Sequence, residues 1–279
     1  MFGFDIINIH GGLGNQMFEY ALFLNLRKHH LCRCFLFDTR YAKGVHQGFE
    51  LPKLFKVRTT WRIKGYSALC RLFPGWLRKM TVYQEKSPFL FEESVFSQEA
   101  GTYYEGCWQS EKYFVGVEDE IRKVFTFDER MLNTQTLELS HKIKSGEVYA
   151  SIHIRRGDYI DEGRYLCPIE YYQKAIKVLE EKHQNIHFVV FSDDIEWVKK
   201  SIVIPDAIYV DWNKTVDSWQ DMYLMSICHH NIIANSTFSW WGAWLNNHKD
   251  QIVIAPPMWL EEETKHLDII PDTWRILEK

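Results

Sequence analysis

Two adjacent arginines, an aspartate and a tyrosine follow a predicted strand near the middle of the chain. Residues 151–159 read Ser-Ile-His-Ile-Arg-Arg-Gly-Asp-Tyr, and residues 148–154 have the apolar character of a core strand. The planar fork of arginine donors matches a phosphate or a carboxylate with two parallel hydrogen bonds. Because ligands of open α/β sheets bind beyond the carboxyl ends of the strands, Arg155 and Arg156 are candidates for binding an anion. A structural arginine–aspartate ion pair that fastens the turn is the alternative.

A glycine-rich turn near the start of the chain is the second candidate. Residues 5–10 are predicted as a short strand, Gly11, Gly12 and Gly14 follow, and a helix carrying Met17 comes next. Backbone N–H groups in such a turn approach a phosphate or a sugar closely. The third glycine position of the dinucleotide fingerprint holds Met17, which disfavours a nicotinamide or flavin cofactor. Tight turns need glycine for their own geometry, so the turn alone is weak evidence of a site.

A third segment combines a predicted strand over residues 231–234 with a predicted helix over residues 237–245. Asn235 and Ser236 stand where the N-cap of that helix belongs. The free N–H groups and the dipole of a helix N-terminus attract anions. Capping alone is a sufficient explanation for Asn235 and Ser236. The tryptophans at helical spacing in this segment are more often core than ligand contacts.

The order of four motifs resembles a known family. Gly-Gly-Leu-Gly-Asn-Gln-Met, His-Ile-Arg-Arg-Gly-Asp-Tyr, Phe-Ser-Asp-Asp and Asn-Ser-Thr-Phe-Ser-Trp-Trp-Gly-Ala occur in that order. They resemble the bacterial galactoside α-1,2-fucosyltransferases of glycosyltransferase family 11, the group that also contains the animal galactoside 2-α-L-fucosyltransferases. The resemblance runs from Ile6 to about Pro257. The arginine-pair motif is shared with α-1,6- and protein O-fucosyltransferases, and the tryptophan segment is the more particular mark.

This resemblance implies both a fold and an activity. The fold is α/β and GT-B-like, with two Rossmann-like domains facing a cleft. The activity is the inverting transfer of L-fucose from GDP-β-L-fucose to the 2-hydroxyl of a terminal galactoside, in the synthesis of a glycan or a surface polysaccharide. The partners would be GDP-L-fucose and a galactose-terminated oligosaccharide acceptor. Two alternatives stay open: another GDP-sugar transferase of the same fold that differs in its acceptor or linkage, and a non-catalytic module that binds a nucleotide or a sugar.

A leaving diphosphate must be neutralised during such a transfer. GT-A enzymes generally use a metal held by an Asp-x-Asp pair, and the sequence contains no Asp-x-Asp. We therefore expect no metal and no other cofactor, with fixed cations and backbone N–H groups in their place. Arg155 is the first candidate for the β-phosphate, and Arg156 is expected to pair with Asp158.

The resemblance assigns further contacts by position. Asn15, after the glycines, is expected to donate to the phosphate or to fucose, and His153 and Asp194 are matched to guanine contacts. The helix that begins near Ser236 and Thr237 would add hydroxyl and backbone donors. The expected catalytic residues are Arg155, Asp158 and Asn15, and the expected substrate-binding residues are Gly12, Gly14, His153, Arg156, Asp194, Ser236 and Thr237.

The acceptor hydroxyl needs a base, unless the transition state is unusually dissociative. One carboxylate or histidine on the acceptor side suffices. Asp158, Asp161, Glu162 and His10 are all candidates, and the sequence does not choose among them. The α-1,6 relatives carry a glutamate a little beyond the arginine motif, but Glu162 stands at a different offset.

The elements that position these residues follow an α/β pattern. From residue 148 onward predicted strands and helices alternate, which indicates a mostly parallel sheet with helices on both faces. We predict an acceptor-side Rossmann-like domain over residues 1–140 and a GDP-sugar-binding domain over residues 141–279. The boundary falls in the polar stretch 133–146. The last segment, residues 271–279, is expected to pack back on the first domain, as a helix.

Charge and cysteine usage restrict the partners and the compartment. The 279-residue chain has 33 basic and 37 acidic residues and a net charge of -4, which argues against nucleic acid as a partner. Its 6 cysteines have irregular spacings that are not typical of a zinc site. Scattered thiols suit a reducing cytoplasm.

We expect a cytoplasmic enzyme that associates at most peripherally with the inner face of the membrane. Residues 1–5 lead directly into the first predicted strand without a signal-peptide pattern, and no stretch approaches the about 18–20 apolar residues of a membrane span. Residues 61–79 interleave basic and aromatic side chains, as interfacial helices do. An ordinary amphipathic segment that covers the first domain is the more common explanation of that pattern.

Overall fold

The structure is a computed structural model that describes residues 4–29, 34–38, 47–57, 62–63, 81–204, 206–260 and 262–277. It divides into two compact units, Met1–Phe127 and Asp128–Lys279. The division comes earlier than the expected boundary at residues 140 and 141. The stretch after Phe127 joins the second unit because Asn133 is hydrogen-bonded there: its amide donates to Asn213 Oδ1 at 2.7 Å and its backbone N–H to Gln220 Oε1 at 3.0 Å.

The first unit contains a five-stranded sheet in the order β3-β2-β1-β5-β4, and all of its described pairings are parallel. The described elements of this unit are the strands β1 (Phe4–Asn8), β2 (Cys34–Asp38), β3 (Arg62–Ile63), β4 (Thr81–Gln84) and β5 (Thr102–Glu105), the helices α1 (Leu13–His29), α2 (Leu51–Leu54) and α3 (Glu118–Val124), and 3-10 turns at Glu93–Ser97 and Glu111–Phe114.

Helix α1 forms the core of the first unit. Met17, Ala21 and Leu24 lie on one apolar face of the helix, and they and the residues between them are buried. Arg27, Lys28 and His29 occupy the last turn, where basic side chains complement the helix dipole. The predicted interfacial segment 61–79 lies outside the described residues except for strand β3.

The second unit contains a six-stranded sheet in the order β13-β10-β9-β6-β7-β8, again with parallel pairings in its described part. Its strands are β6 (Val148–Ile154), β7 (Ile186–Ser192), β8 (Ile208–Val210), β9 (His230–Ile232), β10 (Val253–Ala255) and β13 (Arg275–Ile276), with β11 (Met258–Trp259) and β12 (Glu262–Glu263) as a separate antiparallel pair. Its helices are α4 (Thr134–Ile143), α5 (Gly157–Asp161), α6 (Ile169–Glu180), α7 (Ile195–Ser201), α8 (Trp219–Ile227) and α9 (Thr237–Trp244), with 3-10 turns at Glu129–Met131, Thr215–Asp217 and Thr264–His266.

The end of the chain belongs to the second sheet. Arg275–Ile276 is a strand beside β10, and the indole of Trp240 donates to Ile269 O at 2.6 Å. The ring of Trp274 lies 5.4 Å from that of Trp240. The expectation of a last helix is therefore wrong: the described end of the chain is a strand, which pairing and apolar contacts hold in the second unit.

Each sheet has one topological switch point. In the first sheet the chain adds β2 and β3 on one side of β1, whereas β5 and β4 lie on the other. In the second sheet β7 and β8 lie on one side of β6, whereas β9 and β10 lie on the other. Open parallel sheets bind ligands at such points, beyond the carboxyl ends of the strands.

Candidate functional site

The switch point of the second sheet brings two of the predicted motifs together. The arginine loop leaves β6, and the loop at Asn235 leaves the neighbouring strand β9. The hydroxyl of buried Tyr159 donates to Asn235 O at 2.9 Å, and the ring of Phe238 lies 5.8 Å from that of His153. The two loops are therefore one connected structure.

Arg155 is bound by two carboxylates. Its Nη2 donates to Asp158 Oδ2 at 2.7 Å, and its Nε lies 3.1 Å from Asp193 Oδ2. The expected pairing of Arg156 with Asp158 is therefore wrong. Helix α5 begins at Gly157, and its first turn carries the Asp158 carboxylate back toward Arg155. A side chain at Gly157 would place its Cβ 2.9 Å from Asp193 Oδ2, so the Asp193 carboxylate, and with it the contact to Arg155, would have to shift.

Arg156 lies on an aromatic surface. Its backbone N–H donates to Asp193 Oδ1 at 2.9 Å, and its Nε donates to Asp194 Oδ2 at 3.4 Å. The guanidinium carbon lies 3.4 Å from the centroid of the Trp197 ring, a cation–π contact. Neither Nη atom makes a hydrogen bond with any residue that the structure describes, so both remain available for a ligand.

The two aspartates of the Phe-Ser-Asp-Asp motif have local partners. Asp194 caps helix α7, since its Oδ1 accepts from Trp197 N at 3.3 Å while its Oδ2 meets Arg156. Its own N–H donates to Ser192 Oγ at 3.0 Å. The sequence did not indicate that Asp193 would meet both arginines, because that contact joins loops 37 residues apart.

His153 is buried at the end of β6. Burial, and secondarily the charge of Arg155, lowers its pKa to about 3, so the imidazole is neutral at ordinary pH. Its Nδ1 is buried and has no hydrogen-bond partner within the described part of the chain. A neutral imidazole can accept at one ring nitrogen and donate at the other.

The N-terminus of α9 forms the other side of the switch point. Ser236 Oγ accepts from Phe238 N at 3.4 Å, and Thr237 is the first residue of the helix. The Asn235 amide donates to Tyr165 O at 3.0 Å, which fastens the loop before the helix. The tryptophans of α9 are buried, as the core interpretation predicted: Trp240, Trp241 and Trp244.

The glycine loop of the first unit follows β1. Gly11 has a φ of +70°, in the left-handed region that favours glycine, and a Cβ there would lie 2.6 Å from Asn15 Nδ2. Gly12 O accepts from Gln16 N at 3.1 Å. Gly14 is buried in the first turn of α1, and Asn15 Oδ1 accepts from Gln109 Nε2 at 3.2 Å.

Gln16 holds this loop in place, a role that the sequence did not reveal. Its amide nitrogen donates to Gly11 O at 3.0 Å and to Gly48 O at 2.7 Å. Its amide oxygen accepts from Glu50 N at 2.9 Å. A glutamine in the first turn of helix α1, directly before the apolar Met17, is the signal that the sequence offers.

A second polar cluster lies at the switch point of the first sheet. His10 Nδ1 is 2.7 Å from Glu19 Oε1, and His10 N donates to Glu19 Oε2 at 3.0 Å. His10 Nε2 is 3.6 Å from Cys107 Sγ. The neighbouring Glu85 carboxylate accepts from Cys107 N at 2.7 Å and from Trp108 N at 3.0 Å, and burial raises its pKa to about 7.

The four candidate bases have different surroundings. Asp158 is paired with Arg155, and Glu162 lies 2.5 Å from Arg164. Asp161 is exposed at the end of α5. Only His10 is backed by a buried carboxylate.

Among the residues that the structure describes, no three His, Cys, Asp or Glu side chains are grouped so that they could hold a metal ion.

Over residues 3–278 the chain matches the family described as Glycosyl transferase family 11. It belongs to glycosyltransferase family 11. An α-1,2-colitosyltransferase of Escherichia coli is 35% identical over an alignment of 298 positions, gaps included, which covers 98% of this chain and 99% of that protein. The O-antigen biosynthesis glycosyltransferase WbnK of the same species is 31% identical over an alignment of 294 positions, which covers 95% of this chain and 97% of WbnK. The chain is therefore a glycosyltransferase, as the motifs predicted.

The fold is shared with more distant glycosyltransferases. The fucosyltransferase NodZ from Bradyrhizobium is similar with a TM-score of 0.55 and 16% identity, over 87% of this chain and 91% of NodZ. The predicted fold class, α/β and GT-B-like with Rossmann-like domains, is confirmed. Within the described residues no helix is both long enough and apolar enough to cross a membrane.

Proposed function

We propose that this glycosyltransferase moves L-fucose from GDP-β-L-fucose to the 2-hydroxyl of a terminal galactoside, with inversion, in the synthesis of a glycan or a surface polysaccharide. The observation that most supports this proposal is the position of the Arg155–Arg156 pair at the switch point of the second sheet, in a chain that belongs to glycosyltransferase family 11. A leaving nucleoside diphosphate needs this concentration of fixed donors.

In this proposal the second unit binds the donor. Arg155 and Arg156 neutralise the diphosphate, and the N-terminus of α9 at Ser236 and Thr237 supplies further donors. His153, neutral at ordinary pH, is proposed to contact guanine through its imidazole. Asp194 accepts from Arg156 and from Trp197 N, and each of its carboxylate oxygens keeps a lone pair with which it could accept from guanine.

The first unit then serves the acceptor side. Its glycine loop places Gly12, Gly14 and Asn15 at the carboxyl end of β1, the central strand of the sheet. Held by Gln109, the Asn15 side chain is oriented before any substrate arrives. Orientation in advance lowers the entropy that must be lost on reaching the transition state.

A second candidate differs only in the donor sugar. The 35% identity to a colitosyltransferase favours a GDP-linked colitose donor, and colitose is L-fucose without its 3-hydroxyl. A site that hydrogen-bonds this hydroxyl rejects the deoxy sugar by about 10⁴–10⁵. A site without such a contact accepts both sugars with similar efficiency.

The decisive experiment offers the purified chain GDP-L-fucose, GDP-colitose and GDP-mannose with a panel of β-galactosides, and reads the product linkage by NMR. We expect an α-1,2-linked fucoside and no product from a 2-deoxygalactoside. Efficient transfer from GDP-colitose alone would establish the second candidate. Hydrolysis or binding without transfer to any galactoside would contradict the proposed acceptor.

Binding tests the nucleotide separately. GDP at 100 times its Kd should stabilise the folded chain by about 2.7 kcal/mol. ADP at the same concentration should stabilise it much less. Equal stabilisation by both nucleotides would contradict the guanine contacts that are proposed for His153 and Asp194.

A further inference from the structure

Four histidine rings lie together at the amino end of the second sheet. His230 is the first residue of β9 and His229 precedes it, whereas His183 follows helix α6 and His248 lies in the turn after helix α9. The rings of His183 and His230 are 4.5 Å apart, and those of His229 and His248 are 4.3 Å apart. The two pairs meet through His229 and His230, whose rings are 6.4 Å apart. We call these four residues the histidine cluster.

The histidine cluster lies at the opposite edge of the second sheet from the arginine loop. The backbone N–H of His229 donates to Tyr149 O at 2.8 Å, near the start of β6, whereas Arg155 follows the last residue of that strand. Six residues of extended chain span about 20 Å. Both places belong to the second unit, so the cluster is separate from the site that we propose for the donor.

The hydrogen bonds of the backbone fix where the hydrogen of the His230 ring lies. The backbone N–H of Ile252 donates to His230 Nδ1 at 3.1 Å. A ring nitrogen that accepts a hydrogen bond carries no hydrogen, so the neutral ring carries its hydrogen on Nε2. A metal ion binds a ring nitrogen through its lone pair, and Nε2 has none to offer while Nδ1 keeps this bond. His230 therefore presents a donor, which suits a ligand that accepts hydrogen bonds.

This donor is not used by the protein. His230 is only 3% exposed, and its Nε2 has no hydrogen-bond partner within the described part of the chain. An unsatisfied donor in a buried place destabilises the fold until a partner binds it. The neighbouring ring of half-buried His183 makes no hydrogen bond with any described residue, so its rotation can open Nε2 of His230 to a ligand.

The surroundings of His230 favour a negatively charged ligand. Burial lowers the pKa of His230 to about 4, and the charges of the other cluster histidines and of Lys182 act in the same direction. No ion pair joins any of the four histidines to a carboxylate among the residues that the structure describes. Glu147, near the start of β6, accepts instead from the Tyr149 hydroxyl at 2.9 Å and lies 3.8 Å from His187 Nε2.

The other acidic groups near the cluster are not bonded to it. Glu180 and Glu181 at the end of α6, and Asp250 in the turn after His248, are exposed to solvent, which screens their charge. Cys228, beside His229 in the chain, is a neutral thiol because burial raises its pKa. A bound anion would thus supply the compensating charge that the protein does not.

We propose that the histidine cluster binds a phosphate-type oxyanion between His183 and His230, with the Nε2–H of His230 as a donor. The ring of His183 turns to donate to the same anion, and the Lys182 ammonium adds attraction from the adjacent position. Such an oxyanion is either a free ion or the phosphate of a lipid headgroup, and both offer the same oxygens. This site is additional to the proposed transfer reaction and does not depend on it.

NMR titration of the full ¹⁵N-histidine-labelled chain with sodium sulfate tests the site. Sulfate keeps its charge over the useful pH range, and sodium chloride at equal ionic strength controls for screening. The ring signals of His183 and His230, assigned by their loss in the variants below, report this site apart from sulfate bound elsewhere. We expect saturable shifts with a Kd on the order of 1 mM. The unaltered His230 ring should carry its hydrogen on Nε2 before sulfate is added.

Two variants and one control locate the contact. His230→Asn keeps an acceptor for Ile252 N but loses the Nε2 donor, so the shift of His183 should need at least about fivefold more sulfate. His183→Gln should weaken the response of His230 by a similar factor. His141→Gln, an exposed histidine of the same unit, should leave both signals and the affinity unchanged. Thermal melts verify that each variant is folded.

The pH supplies a further readout, because a bound anion favours protonation of the rings around it. The affinity for sulfate should rise as the pH falls from about 7.5 to about 5.5, by up to about tenfold per pH unit for each proton taken up. An affinity that does not depend on pH would contradict a site built from histidines.

Vesicles distinguish the two sources of the oxyanion. Retention on phosphatidylglycerol vesicles but not on phosphatidylcholine vesicles, reduced in His183→Gln, would identify a lipid headgroup. Equal retention of the two proteins, with sulfate binding intact, would identify a free ion. Ring signals that sulfate shifts no more than sodium chloride does, or equal sulfate affinity in both variants and the unaltered chain, would overturn the inference and leave water as the partner of His230. Transfer from GDP-L-fucose should be the same in His183→Gln and the unaltered chain, so the proposed function is tested separately.

Discussion

The Tyr159 hydroxyl donates to the backbone oxygen of Asn235 at 2.9 Å and thereby joins the arginine loop to the loop that opens helix α9. The same ring lies 5.6 Å from the guanidinium carbon of Arg155. Tyr159 therefore touches both halves of the switch point in the second sheet. Its hydrogen bond fixes the distance between a cationic loop and a helix N-terminus that we propose to act on one diphosphate.

Tyr159→Phe should weaken this connection without emptying the space that the ring fills. The buried oxygen of Asn235 loses a donor, which costs about 1–3 kcal/mol of unfolding free energy. We expect a lower Tm together with a lower kcat, because the two loops no longer hold one geometry. Urea denaturation and steady-state transfer assays measure both effects. Unchanged kcat with reduced stability would limit Tyr159 to a structural role.

Lysine substitutions should distinguish the two arginines. Arg156→Lys keeps the charge but loses the planar fork, whose Nη atoms make no hydrogen bond with the described residues. The transition state should therefore lose about 2.7–4 kcal/mol of stabilisation, seen mainly as a lower kcat. Arg155→Lys should lower both transfer and stability, since it also breaks contacts with Asp158 and Asp193. The stability cost should be about 1–2 kcal/mol for these partly exposed pairs.

The sequence alone predicts the stability effect for Arg156 instead, through its expected pairing with Asp158. Thermal melts and kcat for the two variants decide the matter. A clear loss of Tm in Arg156→Lys and none in Arg155→Lys would show that the observed pairing does not govern their energetics.

Trp197 should matter because it supports Arg156. A guanidinium 3.4 Å above an indole ring gains about 0.5–2 kcal/mol from the cation–π contact. Trp197→Leu should weaken GDP binding by the corresponding factor, about twofold to thirtyfold, whereas Trp197→Phe should retain most of the affinity. Calorimetric titration measures both variants. Equal losses of GDP affinity in the two variants would mean that the aromatic face of Trp197 does not contribute to GDP binding through Arg156.

Regular elements were predictable where the local pattern is strong. Residues 148–154 form a strand as expected. In the alternating stretch that follows, Pro168 precedes a helix over Ile169–Glu180 in which the apolar residues at helical spacing, Tyr172, Ile176 and Leu179, are buried. The spacing of apolar residues and a proline at the start of a helix are local signals. Tertiary packing favours the same elements, because it buries these apolar residues.

The contacts that shape the site were less predictable, because they join residues far apart in the chain. Asp193 meets Arg156 across 37 residues, and the choice between the two arginines depends on one turn of α5. The burial of Glu19 beneath His10 is likewise not predictable from the sequence, because helix α1 is buried on all sides over most of its length. Motifs identify which residues gather at a switch point, and tertiary packing decides which of them pair.

Metal removal tests the expectation that fixed cations neutralise the diphosphate. Arg155, Arg156 and the N-terminus of α9 would supply that charge without a divalent ion. Transfer in excess EDTA should therefore equal transfer in Mg²⁺ to within about twofold. Activity that disappears in EDTA and returns with Mg²⁺ or Mn²⁺ would contradict the expectation. A melt in EDTA alone is the control for loss of structure.

A group of histidines at the amino end of the second sheet should make the fold sensitive to acid. His230 Nδ1 accepts from Ile252 N at 3.1 Å, and His229 Nδ1 accepts from Tyr149 N at 3.2 Å. Protonation would abolish both hydrogen bonds. Burial, and then the neighbouring histidines such as His183, lowers the pKa of His230 to about 4, and burial also lowers the pKa of His229.

The sign of the pH dependence follows from these lowered values. In the unfolded chain a histidine has a pKa of about 6.5, so between pH 6.5 and about 4 the unfolded state binds protons that folded His230 does not. Stability should be fully present above pH 6.5 and should fall as the pH decreases through that window, by up to about 1.4 kcal/mol per pH unit for each such proton.

Urea denaturation from pH 7.5 to 4 measures the slope of unfolding free energy against pH. His230→Asn, whose amide oxygen can accept from Ile252 N, should reduce the slope by up to one proton, while the exposed His141→Asn should leave it unchanged. His153, with its lowered pKa, retains part of the slope in both variants. An identical slope in His230→Asn and the unaltered chain would show that His230 titrates normally in the folded state.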